Sequence, residues 1–95
     1  MSTIDVRRSH ALDKEEARKR AEELARAMQS RFDLTWHWEG DRIIFEAPRG
    51  AAKGTKGSVE VTDQEVRVQI DLPLLLRVMK ATVESKVSEK LAQVL

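Results

Sequence analysis

The stretch from Asp71 to Leu95 constrains this chain most. Leu72-Pro73-Leu74-Leu75-Leu76 is the most apolar run in the sequence. Pro73 suits the first turn of a helix, where a missing N–H costs nothing, and Asp71 is placed to cap that turn. Beyond it, Leu76, Met79, Val83, Val87, Leu91 and Val94 recur at spacings of three and four, which is one face of a helix. Such a helix runs about 33 Å. Five strands about 4.8 Å apart make a sheet roughly 20–24 Å wide, so the helix crosses it completely. Burying its six apolar side chains is worth on the order of 10–15 kcal/mol gross, the scale of a small domain's whole net stability. A chain of 95 residues therefore reads as a single α+β domain, residues 1–95, closed by a long helix.

The preceding residues supply the sheet. Thr3 to Arg8 alternates, with Ile4 and Val6 on one face, and predicts a short strand. Asp13 followed by Glu16 is a capping-box variant, with Leu12 and Ala17 at the staple positions. The helix it opens runs from about Lys14 to Arg31, with an inner stripe of Ala17, Ala21, Leu24, Ala25, Met28 and Phe32. Leu34, Trp36 and Trp38 share one face of the next strand. A turn at Glu39-Gly40-Asp41 leads to Arg42–Ala47, with Ile43 and Phe45 inward and Ile44 outward. Arg49, Gly50, Lys53, Gly54, Lys56 and Gly57 mark residues 48–57 as a flexible basic loop. Val59 and Val61, then Val66, Val68, Ile70 and Leu72, complete two more strands around a turn at Thr62-Asp63-Gln64.

The order is β-α-β-β-β-β-α. Short connections make the last four strands an antiparallel meander. The first strand can lie parallel to the second or antiparallel beside the last. Alternating directions favour the latter, a five-stranded antiparallel sheet of order 2-3-4-5-1 with two helices on one face.

Several residues together resemble a known family. They are Ile4-Asp5-Val6-Arg7-Arg8 with His10 and Leu12, Glu16-Ala17-Arg18, Trp38-Glu39-Gly40-Asp41 with Phe45, and Gly57-Ser58-Val59-Glu60-Val61-Thr62-Asp63. The set is similar to the polyhydroxyalkanoic acid system family, small bacterial proteins associated with the gene region of storage-polyester granules. The resemblance spans nearly the whole chain. It implies a context, polyester storage, and brings no catalytic residues to carry over.

Charge and composition exclude other classes. Seventeen basic residues stand against sixteen acidic, a net charge of +1, so no global field recruits nucleic acid or an anionic membrane. Arg49, Lys53 and Lys56 neutralise about three phosphates at most, and a solvated loop is the better reading. There is no cysteine, which rules out disulfides and thiolate metal sites and fits a reducing cytoplasm. The N-terminus lacks a signal-peptide pattern. No apolar run approaches the roughly 20 residues of a membrane span. The expected location is the cytoplasm, with no transmembrane segment.

No enzyme constellation stands out. His10 and His37 lack metal-ligand spacing, and no serine sits in a nucleophile elbow. Neither catalytic residues, nor a metal, nor a cofactor is expected, nor a nucleic-acid partner. Two binding readings remain. In the leading one, Leu74, Leu75 and Val78, off the main helix stripe, join outward Ile44 in an apolar interface for a second copy, a granule-associated protein or the polyester surface. The chain is then a non-enzymatic accessory or interaction protein. In the alternative, Trp36, Trp38, Phe45, Met79 and Val83 line a pocket between sheet and C-terminal helix that holds an acyl chain.

Overall fold

The computed structural model describes residues 3–95. Five strands form one antiparallel sheet: β1 (Ile4–Ser9), β2 (Thr35–Glu39), β3 (Arg42–Glu46), β4 (Lys56–Val61) and β5 (Glu65–Asp71). Their spatial order is β1-β5-β4-β3-β2, the expected order read from the other edge. The register lays the inward side chains in rows. Trp36, Phe45, Gly57, Ile70 and Ile4 form one row, and Trp38, Ile43, Val59, Val68 and Val6 the next.

Helix α1 (Lys14–Phe32) begins where Asp13 accepts a hydrogen bond from the Glu16 N–H at 2.8 Å. That bond satisfies one of the orphan donors of the first turn. The helix ends at Asp33, whose left-handed backbone (φ 54°) turns its N–H back to the Gln29 carbonyl. Ala17, Ala21, Leu24, Ala25 and Met28 are buried, and the three alanines let the helix lie close to the sheet. The turn between β1 and α1 is tied to the turn between β4 and β5. The Leu12 N–H donates to His10 Nδ1 at 3.2 Å, so Nε2 carries the proton and donates to the Thr62 carbonyl at 2.9 Å.

The C-terminal stretch differs from the single long helix expected. Asp71 is the last residue of β5 and is exposed, and Pro73 precedes the first turn with no side-chain cap. Leu74–Met79 is a 3-10 helix, and only Lys80–Val94 is α-helical (α2). In a 3-10 helix residues three apart eclipse one another. Leu75 and Val78 thus share an outward column, 88% and 89% exposed, while Leu76 and Met79 share the column facing the protein. Of the six side chains expected in the buried stripe, Met79 is 48% exposed, Leu76 and Val83 are half-buried, and only Val87, Leu91 and Val94, all on α2, are buried.

The core joins the inner rows of the sheet to the buried faces of both helices, so α1 and α2 cover the same side. Arg20 of α1 donates to the Val94 carbonyl at 3.0 Å, and Met28–Phe32 face Lys86–Lys90 farther along. The two helices therefore run antiparallel. Of residues 48–57, expected as a flexible basic loop, Lys56 and Gly57 belong to β4 and residues 48–55 are tied down by hydrogen bonds. Ala47 N–H donates to the Thr55 carbonyl and Gly54 N–H to the Ala47 carbonyl, two bonds just beyond the last register pair, Glu46 with Lys56. Arg49 adds a bond of 2.9 Å to Asp33 at the end of α1.

Candidate functional site

The two covering helices do not close over the whole sheet. Where β5 leaves the sheet, an apolar cleft of about 140 Å³ opens between the end of α1, the strand ends and the start of α2. Met28 and Phe32 form one wall, Phe45, Ile70 and Leu72 the floor, and Leu76, Met79 and Val83 the opposite wall. Thr55 also lines it. This threonine is 7% exposed, and its Oγ1 is the one buried side-chain polar atom without a hydrogen-bond partner among the described residues.

A second, wider depression of about 470 Å³ runs between α1 and α2. It shares Met28, Phe32 and Val87 with the cleft, so the two meet at that wall. Its rim is cationic, with Arg31 from α1 and Lys86 and Lys90 from α2 against Glu89.

Three of the five residues expected in a pocket, Phe45, Met79 and Val83, come together in the cleft. Trp36 and Trp38 do not join them. They stand half-buried on the edge strand β2 beneath the polar flank of α1, where their indole N–H groups donate to Gln29 and Glu22 at 3.1 and 2.7 Å. The Arg18 guanidinium lies 3.9 Å above the Trp38 ring, and Arg26 lies 5.8 Å from that of Trp36. The indoles need hydrogen-bond partners when covered, and the polar side of α1 supplies them.

Of the four residues expected at an interface, Leu74, Leu75 and Val78 stand together on the 3-10 helix, 76%, 88% and 89% exposed. Ile44 lies on the opposite face of the sheet, since its neighbours Ile43 and Phe45 point into the core. Sequence reasoning missed Thr55 and the group Arg31, Lys86 and Lys90. The i,i+4 spacing of the two lysines was readable as one helix face, but nothing local said which groove that face borders.

Charged pairs lie elsewhere. Asp5 accepts from Arg67 at 2.6 and 3.0 Å, and Arg67 holds the Asp5 carboxyl below its ordinary value of 3.8. Lys14 and Arg18 together clasp Asp41 at the β2–β3 turn; Lys14 foremost, then Arg18, lowers the Asp41 carboxyl. His37 Nε2 and Glu39 share a hydrogen bond of 2.8 Å on the exposed edge strand. Among the described residues no three His, Cys, Asp or Glu side chains gather as a metal site, and no helix is long and apolar enough to cross a membrane.

Comparison with known proteins finds no match among curated proteins or among solved structures. A family model described as "Putative polyhydroxyalkanoic acid system protein" matches residues 4–95. The match covers every strand and helix described above, and the chain belongs to that family.

Proposed function

We propose that this chain is a non-enzymatic accessory protein of the polyhydroxyalkanoate system that docks on the hydrophobic polyester of the granule. The carrying observation is the outward column of the 3-10 helix, where Leu75 and Val78 are almost wholly exposed beside Leu74. Large aliphatic side chains gathered on one short element mark a surface that is covered in use. Each contributes about 1.5–3 kcal/mol when buried. The proposed location is the cytoplasm, at the granule surface.

The test is co-sedimentation with polyester particles. Leu75→Gln with Val78→Gln is expected to leave the protein folded and weaken particle binding at least tenfold. Unchanged sedimentation would place the docking surface elsewhere. If the same change splits a dimer without affecting particle binding, the column is a self-association surface.

A further inference from the structure

We propose that the apolar cleft and the cationic groove form one site for an aliphatic carboxylate, with the chain in the cleft and the head in the groove. The two depressions share Met28, Phe32 and Val87, so one molecule of modest length reaches both. An alkane would leave the cations without purpose, and a bare anion would leave the cleft empty. An anionic amphiphile satisfies both.

The charges support the head position. Arg31, Lys86 and Lys90 line the groove, and none of them forms an ion pair among the described residues. Lys86 and Lys90 are four apart on one helix face, an arrangement that repels and that an anion between them relieves. Glu89 is the only acid on that rim.

The cleft supports the tail. Apolar cavities of about 150 Å³ accept a guest the size of benzene, so this one holds a segment of about six carbons. Thr55 adds selectivity. Its Oγ1 is unpartnered but almost closed to the cleft, so an oxygen carried on the chain reaches it once the Thr55 side chain rotates about Cα–Cβ, and a hydroxylated or ester-bearing chain then binds tighter than a plain one.

Neither depression is lined by Leu75 or Val78, so this site and the docking column are separable. The experiment is calorimetric titration of the full chain with octanoate, a hydroxyoctanoate, 1-octanol and acetate. Octanoate is expected to bind, the hydroxylated acid more tightly, and 1-octanol and acetate at least tenfold more weakly. Lys86→Gln with Lys90→Gln, both near or at the surface, is expected to weaken octanoate about tenfold at unchanged melting temperature and to leave 1-octanol and particle sedimentation unaffected. Thr55→Val is expected to remove the preference for the hydroxylated chain. Equal affinity for octanoate and 1-octanol would overturn the head assignment, equal affinity for octanoate and acetate the tail assignment, and no heat from millimolar octanoate at either of two temperatures about 20 degrees apart the whole site. Binding of the protein to anionic phospholipid vesicles, with no binding of free octanoate, would reassign the site to a membrane lipid and overturn the soluble ligand.

Discussion

The Phe45 ring lies over Gly57 on the neighbouring strand and occupies the space a side chain there would need. The two are register partners on the inner face. A Cβ at Gly57 would overlap both the ring, with Cε1 at 2.9 Å, and the Gln69 carbonyl oxygen. The absence of a side chain on β4 thus lets a large aromatic on β3 lie flat, and the same ring forms part of the cleft floor. Gly57→Ala is expected to cost about 2–3 kcal/mol in denaturant unfolding, as overpacking of a tight site does. Phe45→Ala should cost about 3–5 kcal/mol, and the double variant less than the sum, because the two share one space. Full additivity would contradict the overlap.

The face of α2 is tested by two substitutions. Leu91 is 1% exposed, so Leu91→Asp buries an unpaired carboxylate and should unfold the chain at room temperature. Val83, although in line with it by spacing, is half-buried at the cleft wall. Val83→Asp should therefore leave a folded protein with a lowered melting temperature. Circular dichroism melts of the two variants decide the matter.

Leu75 and Val78 offer the opposite case. Both are nearly fully exposed, so changing either to Gln should shift stability by no more than about 0.5 kcal/mol in chemical denaturation. A loss of several kcal/mol would mean the 3-10 column is packed.

Acid should act through Asp5. Its carboxyl is held below 3.8 by hydrogen bonds from Arg67, so the unfolded chain takes up the proton first as pH falls. The stability from this pair is complete above the unfolded value and is lost as pH drops through the lower folded value. Asp5→Asn should flatten that part of the stability profile below about pH 4. An unchanged acid limb in the variant would assign it to other carboxylates, Asp41 first.

His10→Leu removes the bond to the Thr62 carbonyl and the acceptor for Leu12 N–H together. The expected cost is about 1–2 kcal/mol, since the latch is partly exposed. Amide exchange should rise at Leu12.

Local patterns made much of this fold legible. The alternation of Val66, Val68 and Ile70, the Asp13 cap and the alanine stripe of α1 each express a short-range preference that the tertiary structure leaves intact, and short turns then dictate the meander. The first strand's place beside β5 followed from strand direction alone. Other features were settled only by packing. Spacing put Leu76 and Met79 on an α-helical stripe and Leu75 and Val78 off it, but the chain leaves β5 at the sheet's end, and its first turns tighten into a 3-10 helix that leaves Met79 half exposed. The alternation of β2 placed Trp36 and Trp38 inward correctly, yet an edge strand's inner face meets the polar flank of α1 and not the cleft. Thr55 was hidden in an apparent loop, because it is held by bonds across a turn, its carbonyl accepting from Ala47 N–H and its N–H donating to the Ala52 carbonyl. Arg31 and Lys90 are distant in sequence and share a groove only because α1 and α2 lie antiparallel on one sheet. Periodicity reports which way a side chain faces within its own element, whereas what it faces depends on contacts between elements.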